Sequence, residues 1–253
     1  MTRIIMCGCN GAMGRTISRI VADDPDAEIV AGIDIEPKFA TGEYPVYKDL
    51  SECKEEADAL IDFSSPKALD GILSYCKETK VPGVLCTTGY SEEQLAKIEE
   101  ASKEAAFLRS ANMSLGVNTI MDLIRKATQV LAPEGFDIEI VEKHHNKKAD
   151  APSGTALALA DSINEVADPP YDYIFDRSQR RAPREKKELG ISAVRGGTIV
   201  GDHDVIFAGE DEVITISHRA YSKAVFGKGA VSAAKYMKGK GAGMYNMSDV
   251  IQG

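Results

Sequence analysis

The stretch RIIMCGCNGAMGRTISRIVADD, residues 3–24, decides the fold expected for the first part of the chain. It opens with a short apolar run that ends at Gly8, as a buried strand would. Two more glycines follow at regular intervals, Gly11 and Gly14. Apolar residues in the same stretch recur at the spacing of one helix face: Met13, Ile17, Ile20 and Val21. The stretch therefore predicts a strand, a glycine-rich turn and a helix in immediate succession.

A glycine-rich turn between a strand and a helix is a place where a phosphate can bind. Backbone N–H groups and the positive end of the helix dipole both favour an anion there. Gly8 would permit the tight bend, Gly11 the close approach of a ligand, and Gly14 the close packing of helix on sheet. The spacing G-x-x-G-x-x-G is a variant of the commoner dinucleotide fingerprint, and taken alone it is a weak indication.

An acidic residue at the end of the next apolar run strengthens this prediction. The run EIVAGID (28–34) ends at Asp34, which lies 20 residues beyond Gly14 (34 − 14). Dinucleotide sites place a carboxylate there to accept hydrogen bonds from the adenosine ribose hydroxyls. The alternative, a glycine turn and an acidic residue without a ligand, stays open on these residues alone.

The same region bears on the choice of cofactor. The carboxylate of Asp34 would repel the 2′-phosphate of NADP, and Ile35 cannot pair with that phosphate. Arg15 and Lys38 are nearby cations that could contribute to binding it. We therefore expect NADH as the preferred cofactor and NADPH as a possible one.

Three later segments have the same apolar character and alternate with helical stretches. The predicted strands lie in ADALIDF (57–63), VPGVLCTTG (81–89) and AAFLRSAN (105–112), and the predicted helices cover 66–78 and 91 to about 106. Ser91, followed at once by acids, is typical of a helix N-cap. Continuous apolar strands alternating with helices predict an α/β fold, a Rossmann-type doubly wound parallel sheet covered on both faces.

The pattern changes after about Leu115. FDIEIVE (136–142) alternates apolar and acidic residues, which predicts a half-buried strand. Helices are predicted over 118–131, 152–166 and 226–238, a loop over 167–188, and strands in ISAVRGG, HDVIFAG and EVITISHRA, the last two joined by a hairpin at 208–212. The segments in the middle of the chain predict a second domain of the α+β class with a mixed open sheet.

The composition limits the classes of function. The 253 residues, 43% hydrophobic and 27% charged, suit one large globular domain or two modest ones. A net charge of −9 argues against a nucleic-acid partner and requires an anionic substrate to meet a local cationic site. Five cysteines are scattered without a zinc-binding spacing, and no apolar leader or membrane-length apolar run stands in the sequence. We therefore expect a cytoplasmic protein without a membrane partner.

Positive charge is concentrated in one segment, EKHHNKKADAPSGTA (142–156). Its cations are Lys143, His144, His145, Lys147 and Lys148. Histidine can exchange a proton near neutral pH, and lysine can attract an anion or act as an acid. Ser153 or Thr155 can cap the helix that follows, and the N–H groups of Gly154 and Thr155 would face outward as an anion site. The segment suits a carboxylate or a dicarboxylate, with Lys143 and Lys147 as solvated charges.

Other interpretations of this segment stay open on its residues alone. It could be a solvated charged loop or a helix cap without a substrate. A metal site is a further alternative, although adjacent histidines on an extended segment point opposite ways and no cysteine or carboxylate cluster completes a ligand set. At the level of the whole chain, a nucleotide-binding redox sensor without chemistry is an alternative to an oxidoreductase acting on a small carboxylate. His144 with Lys148 favours the enzyme, since a sensor needs no acid pair beside an anion site.

The chain resembles a known family along essentially its whole length. The matching motifs are GCNGAMGR at 8–15, DFSSP at 62–66, TTG at 87–89, SANMSLGVN at 110–118, EKHHNKKADAPSGTA at 142–156, RGG at 195–197, VGDHDVIF at 200–207 and ISHRA at 216–220. They resemble the 4-hydroxy-tetrahydrodipicolinate reductase (dihydrodipicolinate reductase) family of lysine and diaminopimelate biosynthesis. The run HH-x-x-K-x-D-x-P-S-G-T-A is the most specific of these motifs.

The resemblance implies a cofactor site and its residues. The nicotinamide cofactor would lie over the glycine-rich turn, with Asp34 on the adenosine ribose, and two later segments would line the nicotinamide end. The residues implied are Gly8, Cys9, Asn10, Gly11, Ala12, Met13, Asp34, Cys86, Thr87, Thr88, Ser110, Ala111, Asn112 and Met113.

The resemblance also implies a reaction and an assembly. His144 would be the proton donor and Lys148 a second general acid, while a dicarboxylate substrate would be held by His145, Lys148, Ser153, Gly154 and Thr155. Hydride would go to C4 of the ring, with loss of the hydroxyl as water. The implied domains are 1–115, completed by the tail 223–253, for the dinucleotide, and 116–222 for the substrate and for assembly into a homotetramer.

Three positions depart from the pattern that the resemblance leads us to expect. Cys86 stands where glycine usually precedes TTG, and it could touch the nicotinamide. Lys223 stands where arginine is expected, which puts a bidentate grip on a carboxylate in doubt. Ile35 replaces a basic residue often found after the ribose acid, which supports the expectation of NADH.

Overall fold

The computed structural model describes residues 1–37, 43–110 and 112–253, so Lys38 and Ala111 lie outside the described residues. The chain forms two compact units. The first unit contains Met1–Leu115 together with Ala224–Gly253, and the second contains Gly116–Lys223.

The first unit is built on a seven-stranded sheet with parallel pairing between its strands. The strands, numbered along the chain, are β1 (Thr2–Cys7), β2 (Ala27–Ile33), β3 (Val46–Tyr47), β4 (Ala59–Asp62), β5 (Gly83–Leu85), β6 (Ala106–Arg109) and β12 (Gly243–Tyr245). Their order across the sheet is β12-β6-β5-β4-β1-β2-β3. The doubly wound parallel sheet predicted from the sequence is confirmed.

Helices cover both faces of this sheet. They are α1 (Ala12–Ala22), α2 (Leu69–Thr79), α3 (Glu92–Ser102), α6 (Ala224–Met237) and α7 (Met247–Gln252). Alternate residues of β1 enter two different cores: Ile4 packs in the cluster that holds α1 and α6, while Ile5 packs in the cluster that holds α2 and α3. Because both sides of each inner strand are buried, the strands read as continuous apolar runs.

Several boundaries in the first unit differ from the prediction. Helix α3 ends at Ser102 rather than near residue 106, because Ala105 and Ala106 are buried and the chain enters β6 there. Strands β3 and β12 and helix α7 were not predicted. Each is short, and β12 exists through its pairing with β6, a contact between distant parts of the chain.

The second unit contains a five-stranded mixed sheet. Its strands are β7 (Asp137–His144), β8 (Asp172–Ile174), β9 (Glu188–Arg195), β10 (Gly201–Ala208) and β11 (Val213–Ala220), in the order β11-β10-β7-β9-β8. Strand β10 pairs antiparallel with β7 and β11, whereas β9 pairs parallel with β7 and β8. The mixed sheet is confirmed, and so is the β10–β11 hairpin, in which Gly209 N–H donates to the Glu212 carbonyl at 2.8 Å.

Two helices pack on one face of the mixed sheet, α4 (Leu115–Leu131) and α5 (Gly154–Asn164). Helix α4 starts three residues before the predicted 118 (118 − 115), and β8 lies inside the segment 167–188 that was predicted to be a loop. Arginines anchor the rest of that segment to the sheet: Arg177 donates to both oxygens of Glu139 at 2.9 and 2.7 Å, and Arg184 donates to Asp137. These long-range ion pairs leave no local periodic pattern in the sequence.

Candidate active site

The glycine-rich turn has the geometry that a phosphate requires. Gly8 adopts a φ of +77°, and a Cβ there would lie 2.5 Å from the Phe63 carbonyl oxygen. A Cβ on Gly14 would run into the carbonyl oxygens of Gly8 and Cys9. Gly11 precedes α1 and gives the helix no side-chain cap. The helix therefore presents an uncapped N-terminus beside a turn that only glycine fits, which suits a dinucleotide pyrophosphate.

A cavity of about 680 Å³ opens beside this turn. It brings together four of the predicted cofactor residues, Gly8, Asn10, Gly11 and Asp34. It is also lined by residues to which no role was given from the sequence, among them Lys48, Ser64, Ser65 and Lys67. Both serines belong to the DFSSP motif, which could have identified them as candidate site residues from the sequence.

Asp34 directly follows the end of β2 and lines this cavity. One of its carboxylate oxygens accepts the Asn10 N–H at 3.0 Å and the other accepts the Glu36 N–H at 3.1 Å. Carboxylate oxygens keep further lone pairs for a ribose hydroxyl while holding the turn in place. Ile35 follows with 81% of its surface exposed.

The remaining residues of the predicted cofactor turn differ in accessibility. Cys9 is buried in the core, and burial raises the pKa of its thiol to about 11. Only the backbone of Cys9 is therefore suited to contact a ligand. Ala12 is exposed at the start of α1, and Met13 is half-buried.

The residues predicted for the nicotinamide end do not line this cavity, as far as the structure describes them. They follow β5 and β6, two neighbouring strands, and so lie at the carboxyl edge of the sheet: Cys86, Thr87, Thr88, Ser110, Asn112 and Met113. Ser110 Oγ accepts the Met247 N–H at 2.7 Å, and Asn112 Oδ1 accepts the Ser114 N–H at 2.8 Å. Burial raises the pKa of the Cys86 thiol, which therefore stays protonated near neutral pH.

In the second unit, strand β7 carries the cationic segment to the end of the mixed sheet. Its residues alternate between half-buried and buried, and the buried positions are Ile138, Ile140, Glu142 and His144. On the buried face of β7, two apolar side chains are therefore followed by a buried carboxylate and a buried imidazole. Lys143 points to the opposite side and pairs with Asp204 at 2.7 Å, so the prediction that it is a solvated charge is wrong. Lys147 is exposed.

Glu142 is fully buried and accepts hydrogen bonds from three residues. Arg195 donates to its two oxygens at 2.7 Å each, the Ser153 N–H donates at 3.0 Å, and His144 Nδ1 lies 2.6 Å from Oε2. Burial alone would raise the pKa of Glu142, but these hydrogen bonds outweigh it and lower the pKa below its usual value. Glu142 is therefore a carboxylate at neutral pH.

A second buried histidine stands beside His144. The two rings, those of His144 and His203, meet edge to face with centroids 5.1 Å apart. Nε2 of His203 lies 3.0 Å from Ser153 Oγ. Burial, and then the charge of His144, lower the pKa of His203 to about 4. His203 is thus a neutral ring near neutral pH.

The start of α5 completes this cluster. Ser153 is its N-cap, with Oγ accepting the Ala156 N–H at 3.1 Å, so Ser153 rather than Thr155 plays the capping role. Gly154 is exposed and Thr155 is half-buried at the first turn. Lys148 lies between the strand and the helix, where its Nζ pairs with Asp150 at 2.8 Å and lowers the pKa of that carboxyl. His145 is half-buried just past the end of β7.

Three residues of this cluster had no role in the sequence prediction: Glu142, Arg195 and His203. All three lie in the quoted motifs, but only the register of β7, β9 and β10 places them on one face. Among the described residues, no group of three or more histidines, cysteines or acids is arranged to hold a metal ion. No helix of the described chain has the length and apolar character needed to cross a bilayer.

A Rossmann-type sheet with a glycine-rich turn, in one chain with a buried acid–histidine cluster, is typical of an NAD(P)-dependent oxidoreductase. Comparison with known proteins names the particular family. The family models of dihydrodipicolinate reductase match residues 2–113 (N-terminus) and 116–251 (C-terminus). The chain belongs to this family, and its activity is the NAD(P)H-dependent reduction of 4-hydroxy-tetrahydrodipicolinate in lysine biosynthesis.

Individual relatives agree with this assignment. The chain is 52% identical over 252 residues to the 4-hydroxy-tetrahydrodipicolinate reductase of Caldanaerobacter subterraneus subsp. tengcongensis, covering 100% of this chain and 99% of that protein. It is 51% identical over 253 residues to the corresponding reductase of Clostridium tetani, covering 99% and 97%. The structure of a dihydrodipicolinate reductase from Paenisporosarcina sp. TG-14 with dipicolinate bound superposes with a TM-score of 0.82 at 23% identity, covering 99% of both chains.

Proposed function

We propose that the first unit is the dinucleotide-binding domain and that the residues of the glycine-rich turn hold the pyrophosphate. The φ of Gly8 and the absence of room for a Cβ at Gly14 support this, because both let the turn pack closely against α1, whose N-terminus has no side-chain cap. Asp34 would accept the ribose hydroxyls. When bound, NAD(P)H supplies the hydride. Thr87, Thr88 and the segment 110–113 would line its nicotinamide end.

The second unit is proposed to bind the dicarboxylate substrate. The Paenisporosarcina enzyme has dipicolinate, a ring with two carboxylates, bound in its structure. In this chain the cations and the helix start that suit such a dianion are His145, Lys148 and the first turn of α5 at Ser153, Gly154 and Thr155. The ion pair of Lys148 with exposed Asp150 would exchange for a pair with a substrate carboxylate.

His144 is proposed as the proton donor, with Lys148 as a second general acid. The single observation that carries this role is the 2.6 Å contact of His144 Nδ1 with the ionised Glu142, which holds the ring in place beside the start of α5. Adding hydride to a conjugated imine leaves an electron-rich ring, and that ring needs a proton. A histidine side chain held in place by a carboxylate is suited to deliver it.

Steady-state kinetics test these roles. We expect His144→Gln to lower kcat by about 10²-fold or more, with a much smaller rise in KM, because a proton donor acts mainly in the transition state. Lys148→Gln should lower kcat and also raise KM. Lys147→Gln is the matched control, since Lys147 is an exposed neighbour with no proposed role. A rise in KM alone for His144→Gln would make His144 a binding residue instead.

NADH is proposed as the preferred cofactor. The support is the carboxylate of Asp34, which lines the cavity beside the glycine-rich turn, and the exposed, uncharged side chain of Ile35 next to it, since neither can neutralise a 2′-phosphate. The test is the ratio of kcat/KM for NADH and NADPH. Ile35→Arg should shift that ratio toward NADPH. A strong NADPH preference of the unaltered enzyme would contradict the proposal.

The second unit is also proposed to assemble the chain into a homotetramer through its mixed sheet. Large apolar side chains are exposed on its strands, at Val194 of β9 and at Val213 and Ile214 of β11. Such side chains favour a protein contact. Sedimentation at assay concentration should give a particle of four 27.2 kDa chains, and Val213→Lys should reduce its size. Localisation in the cytoplasm stays a prediction.

A further inference from the structure

The carboxylate of Glu142 connects the proposed proton donor with the proposed substrate site. Oε2 contacts His144 Nδ1 and Arg195 Nη1, and Oε1 accepts Arg195 Nη2 and the Ser153 N–H. The same Arg195 Nη2 also donates to the Asp150 carbonyl oxygen at 2.7 Å. One buried acid is therefore fixed against three segments, the strand β9, the loop at Asp150 and the start of α5.

This arrangement determines which nitrogen of His144 carries the proton. A carboxylate that receives two N–H groups of an arginine is ionised and can only accept hydrogen bonds. The His144 nitrogen that faces it, Nδ1, must then be the donor, which leaves Nε2 as the nitrogen that exchanges a proton. Gly201 lies beside Nε2, and a Cβ there would stand only 3.0 Å from it. The absence of a side chain at Gly201 keeps Nε2 uncrowded.

We propose that Glu142, held by Arg195, is a positioning residue that fixes His144 as the Nδ1–H tautomer and so directs proton delivery through Nε2. This rests on the proposed role of His144 as proton donor. In the step, the Nε2–H bond of the imidazolium breaks and its electron pair stays on Nε2. The proton bonds to the electron-rich carbon of the reduced ring, and His144 becomes a neutral ring protonated at Nδ1. Solvent returns the proton between turnovers.

Glu142→Gln changes this geometry in a defined way. An amide has one acceptor oxygen. Two groups that can only donate, Arg195 Nη2 and the Ser153 N–H, meet on the Oε1 side, whereas the Oε2 side has one such donor, Arg195 Nη1, beside His144 Nδ1, which can also accept. The amide oxygen should take the Oε1 side, so its NH2 group would face His144 Nδ1. That nitrogen must then accept a hydrogen bond, and the proton of the neutral ring moves to Nε2.

The same strand offers a matched control. Glu139 is also gripped by an arginine through both carboxylate oxygens, with Arg177 at 2.9 and 2.7 Å. It lies on the opposite face of β7 from Glu142, because the two positions differ by an odd number of residues. Glu139→Gln removes a comparable ion pair and leaves the surroundings of His144 intact.

The experiment measures ring ¹⁵N shifts in the full chain labelled at its four histidines, with His144 assigned by its loss in His144→Gln. For the neutral ring of the unaltered enzyme we expect the proton on Nδ1. Glu142→Gln should move it to Nε2 and lower kcat by about 10-fold or more with little change in KM. Glu139→Gln should leave the His144 shifts unchanged. Arg195→Lys keeps the positive charge but cannot donate to both oxygens of Glu142 in the same geometry. It should therefore keep the Nδ1–H tautomer of His144 and lower kcat in part.

Two results would overturn the proposal. One is a proton on Nε2 in the unaltered enzyme, a measurement that needs no variant and so does not depend on Glu142→Gln folding. The other is a Glu142→Gln enzyme with unchanged His144 shifts and unchanged kcat. Failure of the proton-donor role would look different. If the proton is on Nδ1 but His144→Gln keeps its kcat, His144 is not the proton donor, although Glu142 still orients its ring.

Discussion

At the scale of single residues, the protonation of His203 is set by its surroundings. The side chain is buried, touches the ring of His144 edge to face, and lies 3.0 Å from Ser153 Oγ. A second positive charge beside His144 would be unfavourable in this buried place. Burial first, and His144 second, therefore lower the pKa of His203 from 6.5 to about 4.

The lowered pKa of His203 predicts a loss of stability in acid. Between pH 6.5 and 4 the unfolded chain takes up a proton at this residue that the folded chain does not, so stability falls as pH falls through that window. The contribution of His203 to this loss of folding free energy is at most about 3 kcal/mol, given the free energy that corresponds to one pKa unit. Urea unfolding of the enzyme and of His203→Asn at several pH values measures it. The free energy of unfolding of the variant should fall less steeply between pH 6.5 and 4 than that of the unaltered enzyme. An equal pH dependence of the two proteins would contradict the assignment.

At the scale of elements, the contact of α1 with the glycine-rich turn depends on a missing side chain. Exchanging glycine for alanine inside a helix normally stabilises by about 0.5–1 kcal/mol. At Gly14 the new Cβ would instead collide with the backbone carbonyls of Gly8 and Cys9, which cannot move without opening the turn.

We predict that two glycine-to-alanine exchanges change the stability of the protein in opposite directions. Gly14→Ala should destabilise by about 1–3 kcal/mol, as overpacking does, and should weaken NADH binding. Gly71→Ala in α2 is the control: its Cβ would meet no atom within 4 Å, and it should stabilise by about 0.5–1 kcal/mol. Urea midpoints measure both. If Gly14→Ala also stabilises, the turn is not as tightly packed as described.

At the scale of the whole molecule, the two ends of the chain build one unit. Helix α6 buries Ala230, Ala233 and Met237 completely in the core that also holds β1 and β4. Strand β12 pairs with β6, and Lys238 Nζ donates to the Met1 carbonyl at 2.9 Å. The first unit therefore depends on residues 224–253 as well as on residues 1–115.

Graded truncation should show this dependence. A chain ending at Lys223 lacks α6, exposes a large part of the first core, and should neither bind NADH nor give a cooperative unfolding transition. A chain ending at residue 242 lacks only β12 at the sheet edge and α7, so it should be less stable but still bind NADH. NADH fluorescence and circular dichroism report both properties. Full NADH affinity in the shorter chain would contradict the role of α6.

The sequence by itself determined the parts of the fold that local patterns encode. Strands buried on both faces appear as continuous apolar runs, and β7 appears as an alternating one. The glycines at 8, 11 and 14 and Asp34 belong to one short βαβ segment, so a local pattern was enough to predict the glycine-rich turn between β1 and α1. His144, Lys148 and Ser153 all lie in the short segment 142–156, so local sequence patterns were enough to identify them as candidates.

Only the tertiary structure decided how the rest of the site is held together. Strands β3, β8 and β12 are too short to show periodicity and exist through pairing with β2, β9 and β6. Arg195 lies 53 residues from Glu142, yet the two meet because the register of β7 and β9 puts them on one face. The register of β10 puts His203 on the same face, where it reaches Ser153 at the start of α5, 50 residues away. A shift of one residue would turn each to the other face. Register is fixed by packing across the whole sheet, so no single stretch of sequence contains it.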